Sequence, residues 1–334
     1  MNAGAIGAVV RWLTSIVGGL LAALTVIALY FTSVLIGTAR KRGELAPKVE
    51  AIGLGAVTNF FDTLGIGSFA PSTAWMKLRK LAPDSYFPAI LNSGHALPTV
   101  TEALVFITLV RVDPTLLIAC IVASCLGAWV GEPIVQRSPV RLVQAVVGVA
   151  LLVGALLFTL KNLDSGLPAY HWQLGSFAIN TPAIAATHIL PAGGAALSLP
   201  TSLLIVAVIA HFIMGILMMF GIGLYAPSLI VLSLLGLNPI AAFPIMMGSC
   251  AFLMPISSVR FVRSERIDLR IVIGMALGGI PAVLLAAFVV KQMDLVTLRW
   301  LVVIVVLYAS ALLLRSALVG ERRRSTAAAA PTPT

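Results

Sequence analysis

Leu64-Gly-Ile-Gly-Ser-Phe-Ala-Pro-Ser72 and Phe220-Gly-Ile-Gly-Leu-Tyr-Ala-Pro-Ser228 stand 156 residues apart and agree at six of nine positions. The same offset lays Phe87-Pro88 over Phe243-Pro244 and Ser93 over Ser249; one residue shorter, Arg111-Val-Asp113 falls over Arg266-Ile-Asp268. Apolar stretches resemble one another cheaply, but glycines, prolines and serines held at one offset do not, which points to an internal duplication. Each copy opens on a short apolar arm, breaks at Gly-Ile-Gly and resumes as a short helix. Residues 51–64 make about 21 Å of helix at 1.5 Å per residue, and 68–80 are equally short. Neither piece alone crosses a hydrocarbon core of about 30 Å. The pair is either a re-entrant hairpin or one broken span.

The rest of the chain has matching character. Its 334 residues are 60% hydrophobic and 10% charged, with mean hydropathy +1.06, whereas soluble domains carry about 25% charged residues. A water-surrounded fold and a disordered chain are both excluded. What remains is a polytopic membrane protein with no room for a sizeable soluble domain. Residues 12–36 are uncharged, too long for a signal-peptide core, and followed by Arg40-Lys41-Arg42. They predict a leading transmembrane helix with its N-terminus outside. Spans are expected at 87–110, 115–135 and 142–160 after the first break, and at 240–262, 271–290 and 295–314 after the second. The divisions are therefore a leading helix and basic loop over 1–50, repeat one over 51–160, an external connector over 161–199, repeat two over 200–318, and a disordered cytoplasmic tail over 319–334. In the connector, Tyr170-His171-Trp172 suits an interfacial anchor.

A net charge of +10 from 22 Lys and Arg could indicate nucleic acid, but basic cytoplasmic loops are its ordinary cause in a membrane chain, so no nucleic-acid partner is expected. With both broken segments as hairpins, 17 basic residues fall on the cytoplasmic side and 5 outside; with both crossing, the division is 14 to 8. The positive-inside rule favours hairpins. The first then enters from the cytoplasm and the second from outside, a recurrent transporter plan. The expected fold is an all-α polytopic membrane protein of two inverted repeats, each a re-entrant broken-helix hairpin plus three spans, behind one leading transmembrane helix. It would sit in the cell membrane with its C-terminus cytoplasmic. A homodimer suits a chain of this size, although no residue pattern specifies one.

Gly65, Gly67, Gly221 and Gly223 let the backbone turn, and Pro71 and Pro227 sit in the first turn of the resumed helices, where a missing N–H costs nothing. The remaining first-turn N–H groups and the helix dipole favour an anion. Two such ends facing each other would bind a small anionic substrate, with Asn59, Thr63, Ser68, Asn92, Ser93 and Ser249 as polar side chains around the four glycines. The alternative is that these are packing glycines at helix crossings. Asp62 and His95 are ionisable groups inside the membrane and candidates for a coupling proton; the alternative is a helix cap and a neighbour's hydrogen-bond partner. Glu102, mid-span, pairs with another helix; Glu132 lies near a cytoplasmic end; His211 is a buried contact. Ser93 and His95 have no orienting carboxylate or oxyanion loop at a hydrolase spacing. There is no P-loop, dinucleotide fingerprint or metal-ligand spacing, and Cys120, Cys125 and Cys250 read as small buried side chains. No catalytic residue, cofactor or metal is expected.

The two Gly-Ile-Gly…Pro segments (Gly65 to Pro71, Gly221 to Pro227), the small-residue patches Asn92-Ser93-Gly94 and Gly248-Ser249-Cys250, and the Arg-Ile-Asp loop at Arg266 to Asp268 resemble the TauE/SafE family over roughly residues 51–318. That resemblance implies export of small sulfur-containing anions such as sulfite, sulfoacetate or related organosulfonates. Family members run glycine-rich past the break, where this chain has Ser68-Phe69 and Leu224-Tyr225. The expected function is a proton-coupled secondary transporter working by alternating access. Its rivals are a passive anion channel, a cation carrier using Asp62, Glu102 and His95, and an intramembrane enzyme or assembly subunit.

Overall fold

A computed structural model describes residues 3–135, 140–164, 170–174, 177–181, 194, 196–219, 223–291 and 295–328. Helix α1 (Ala3–Arg42) leads. The short pair α2 (Val49–Thr63) and α3 (Phe69–Arg79) precedes the long helices α4 (Phe87–Leu109), α5 (Pro114–Val135) and α6 (Val140–Asp164). After a hairpin of β1 (Tyr170–Leu174) and β2 (Phe177–Thr181), the order recurs as α7 (Thr201–Met219), α8 (Tyr225–Leu234), α9 (Pro239–Arg263), α10 (Leu269–Lys291) and α11 (Leu295–Ala328). Among the described residues six helices are long and apolar enough to cross a membrane, α7 among them. Exposed Leu29, Trp129, Phe288 and Ile304 give the outer surface the apolar character that lipid requires.

The connector holds an antiparallel hairpin with Tyr170 opposite Thr181. Helix α11 runs to Ala328, carrying helix ten residues into the expected disordered tail. The two arms are unequal: α2 has 15 residues and α7 has 19.

The duplicated Arg-x-Asp loops explain how two long helices begin. Asp113 Oδ1 accepts the Leu116 N–H at 2.8 Å, and Asp268 Oδ1 accepts the Ile271 N–H at 3.2 Å. Each aspartate thus caps its helix three residues on, a bond worth about 0.5–2 kcal/mol. At the first break, Gly65 N–H closes the last turn on the Asp62 carbonyl at 2.7 Å. Gly65 and Gly67 then take φ of +90° and +87°, a region that L side chains rarely adopt.

Helix α2 packs along α10, α7 along α5, α4 along α9 and α6 along α11. Exchanging the first five helices for the second five turns each pairing into another or into itself. Lipid supplies no hydrophobic drive for these contacts, so close backbone approach through small residues does the work. A Cβ on Gly278 would fall against the Ile52 carbonyl, and one on Gly127 against the Phe212 carbonyl.

The two ends of each broken segment lie together. At the base of the first, Arg79 Nε donates to Glu50 Oε1 at 2.7 Å and Lys48 Nζ lies 3.4 Å from the Leu81 carbonyl. Lys48 also pairs with Asp268 in the α9–α10 loop at 2.7 Å, and Arg42 donates to the Ser264 carbonyl at 2.9 Å. At the base of the second, Gly194 N–H donates to Gly236 O at 3.0 Å and Asn238 N–H to Ala196 O at 2.7 Å. That base meets the α4–α5 loop where Asp113 N–H donates to Leu197 O at 3.0 Å. The two bases lie at opposite ends of α4 and α9.

Candidate functional site

The first hairpin tip meets α8, the resumed helix of the second, inside the bundle. A Cβ on Gly65 would lie 3.2 Å from Leu229 Cδ2, so the first tip touches α8 of the second hairpin. The junction centres on Glu102 of α4, which is fully buried. Its Oε1 lies 2.8 Å from the Thr63 hydroxyl at the end of α2, and its Oε2 accepts the Tyr225 hydroxyl at 2.6 Å from the first residue of α8. Asp62, beside Thr63, is near enough to act electrostatically on Glu102 and Tyr225. Its Oδ2 accepts the Ser68 hydroxyl at 2.8 Å, and it takes the Ser68 N–H as well. Asp62 thus bridges the break and caps the start of α3.

A second chain of bonds runs from α2 to α3 through His95. Asn59 Nδ2 donates to the Gly55 carbonyl at 2.7 Å, which turns its Oδ1 toward His95 Nδ1 at 2.8 Å. His95 Nδ1 therefore carries the hydrogen, and the Ser72 hydroxyl donates to Nε2 at 2.9 Å. Phe69 stacks on the ring at 5.9 Å. The other hairpin repeats the pairing by a different route: His211 Nδ1 faces the Ala207 carbonyl at 2.8 Å, and Ser228 donates to Nε2 at 2.9 Å. Ser72 and Ser228 are equivalent at the 156-residue offset. Ser72–His95–Asn59 has the connectivity of a hydrolytic triad, but Ser72 is fully buried in the first turn of α3 and leaves no approach for a carbonyl substrate.

Of the residues singled out from sequence, Asn59, Asp62, Thr63, Ser68 and His95 come together in one polar cluster, with Gly65 at its edge. Gly67 and Gly223 face open space, with nothing within 4 Å of an added Cβ. Gly221 lies outside the described residues. Asn92 is half-buried and spends its amide on the Pro88 carbonyl at 2.9 Å. Ser93 and Ser249 are fully buried on α4 and α9, and neither hydroxyl has a hydrogen-bond partner. Ser93 and His95, two residues apart, project from different sides of α4. Ser72, Ser228 and Tyr225 escaped the sequence reading as site members, although the serines sit inside the duplicated Ala-Pro-Ser.

In each resumed helix the first internal bond is made by the fourth residue, Ser72 N–H to Ser68 O at 3.1 Å and Ser228 N–H to Leu224 O at 3.0 Å. The N–H groups of Phe69, Ala70, Tyr225 and Ala226 therefore have no partner within their own helices. Among the described residues no group of three or more His, Cys, Asp or Glu could hold a metal ion. A cavity of about 800 Å³ lies apart from the cluster, lined by apolar groups including Ile118, Val122, Ile209 and Phe212. Val122 and Ile209 also belong to the exposed apolar surface, and among the described residues Thr115 is the one polar side chain in the cavity's lining.

The fold defines a multi-pass helical membrane protein in which the end of α2 and the start of α8, one from each broken-helix hairpin, meet at Glu102. Residues 203–333 match the family model described as sulfite exporter TauE/SafE, from α7 onward. No curated protein and no solved structure matches the chain.

Proposed function

We propose that this protein is a secondary transporter that exports small sulfur-containing anions, such as sulfite or organosulfonates, by alternating access. The observation that carries the reading is the meeting of the first hairpin tip with α8 of the second, in two hairpins whose bases lie at opposite ends of α4 and α9. Each tip offers first-turn N–H groups of a helix restarting inside the bundle, which suits an anion. The two sets of five helices act as inverted repeats, and movement of one against the other exposes the tips to each side in turn. Ser93 and Ser249 supply further donors to the anion's oxygens along the α4–α9 crossing. Asp62 and His95 belong to the polar cluster that couples passage to a proton gradient. The face carrying Arg42, Lys48, Arg79, Arg263 and Arg270 is cytoplasmic by the positive-inside rule, which puts the N-terminus outside and the C-terminus within. The sulfur-anion class rests on the TauE/SafE match over residues 203–333.

The test is isotope flux into proteoliposomes of the purified chain, comparing sulfite, an alkanesulfonate, sulfate and a divalent metal, with and without a pH gradient. Saturable uptake of sulfite or the sulfonate, driven uphill by the gradient, is expected. Flux that only runs downhill would make the protein a channel, and silence for every sulfur anion would overturn the substrate class.

A further inference from the structure

Glu102 receives two partners, one from each hairpin, and their hydrogens can be counted. Thr63 has a single hydroxyl hydrogen and two acceptors at 2.8 Å, the Asn59 carbonyl and Glu102 Oε1. Tyr225 serves the other carboxyl oxygen. Were Glu102 ionised, the Thr63 hydrogen would have to abandon the Asn59 carbonyl or be divided between two acceptors. A fully buried charge would then rest on little more than the Tyr225 hydroxyl. The ionisable groups acting on this position offer no compensation: Asp62 from α2, Tyr225 from α8 and Cys250 from α9 include no cation. His95, on the same helix, is committed to Asn59 and Ser72, and His211 to Ala207 and Ser228. Buried charges without close compensation are costly.

A hydrogen on Glu102 removes each conflict. The carboxylic acid donates to Thr63 Oγ1, Thr63 donates to the Asn59 carbonyl, and Tyr225 donates to the remaining carboxyl oxygen. We propose that Glu102 holds a proton that clasps the two hairpin tips together, and that this proton is the one exchanged during the transport cycle, a role resting on the transport reading above. Removing it leaves Thr63 one hydrogen for two acceptors and loosens the first tip from α4. The clasp occurs once. At the 156-residue offset Glu102, Thr63 and Tyr225 correspond to Ser258, Met219 and Phe69, and Ser258 is buried without a hydrogen-bond partner. A duplicated scaffold therefore carries the clasping acid in one copy alone and exchanges one proton per cycle through it.

The experiment pairs infrared difference spectroscopy of the full chain in lipid, stepped from neutral to alkaline pH, with flux in the same vesicles. A carboxylic-acid C=O band that bleaches at alkaline pH, vanishes in Glu102→Gln and persists in Asp62→Asn is expected. In Tyr225→Phe the band should move to higher frequency, because the carbonyl oxygen loses its donor; this variant serves if Glu102→Gln folds poorly. Flux by Glu102→Gln should keep saturable exchange but lose gradient-driven accumulation, which for one proton approaches roughly tenfold per pH unit. A spectrum unchanged by Glu102→Gln, or accumulation that survives it, would overturn the proposal. A Glu102-dependent band in a protein that moves no sulfur anion would support the clasp and overturn the transport reading.

Discussion

Ser93→Ala and Ser249→Ala should each make the empty protein more stable and the loaded protein less so. Buried hydroxyls on other helices spend their hydrogen on a backbone carbonyl, as Thr58 of α2 does on Leu54, Ser124 of α5 on Cys120 and Ser310 of α11 on Gly148. Ser93 and Ser249 are equally buried and bond to nothing. Truncation keeps the Cβ, opens little space, and removes a polar group whose burial without a partner costs about 1–3 kcal/mol. Melting of the ligand-free protein should rise accordingly. If the hydroxyl meets an anion's oxygen, its loss forfeits about 1.5–3 kcal/mol, or roughly 10- to 150-fold in affinity. Sulfite at 100 times the wild-type Kd stabilises by about 2.7 kcal/mol; by the same linkage the variants keep roughly 0.3–1.4 kcal/mol of it. Thermal melting in detergent, with and without sulfite and an alkanesulfonate, reads both effects. A variant that melts lower when empty would show that the hydroxyl had a partner. A ligand-induced shift equal to wild type would remove that serine from the binding surface.

Two further outcomes test the packing. Gly278→Ala and Gly127→Ala place a Cβ against the backbone carbonyls of Ile52 and Phe212, where no rotamer change helps, and each should cost about 1–3 kcal/mol of thermal stability; Gly53→Ala, on α2 with open space around it, should gain about 0.5–1 kcal/mol. At the base of the first hairpin, Arg79 and then Trp75 hold the Glu50 carboxyl below its ordinary range. A depressed carboxyl stabilises the fold above its unfolded pKa and loses that contribution as pH falls through the folded value, so acidification should lower the hydrogen-exchange protection factors, corrected for the intrinsic rate, in the last turn of α3, and Glu50→Gln should make those protection factors insensitive to the same acidification.

The architecture was legible because its signals are local. Gly-Ile-Gly followed by Ala-Pro-Ser fixes where each helix breaks and restarts, and the ends of α4, α5, α9 and α10 fall within two residues of the expected spans. The polar cluster was half legible. Asn59, Asp62, Thr63 and Ser68 crowd one break, and one helical turn plus the glycine bend brings them together. Glu102 could not be placed, because its partners sit 39 and 123 residues away and only the meeting of two hairpins joins them. Tyr225 read as a departure from a glycine-rich pattern rather than as a donor. The β-hairpin had its own signal, since Tyr170, Trp172 and Leu174 alternate with polar residues before Gly175-Ser176.

The two serine–histidine pairs separate what the scaffold requires from what one tip adds. Ser72 and Ser228 are equivalent, but their histidines are not: at the 156-residue offset His95 stands over Ala251 and His211 over Gly55. A buried serine in the first turn of each resumed helix has thus been given an imidazole from α4 in one case and α7 in the other. The same contact reached by two routes is what a structural demand would produce, because an unpaired hydroxyl at a helix start inside the bundle costs energy in either copy. Asp62, Thr63 and Glu102 show the opposite pattern, with Met218, Met219 and Ser258 at the matching positions. Packing alone does not call for Asp62 and Glu102 beside one break and Met218 and Ser258 beside the other, since both resumed helices start in the same bundle. Charge-bearing groups confined to one of two matched positions are better explained by chemistry that one tip performs.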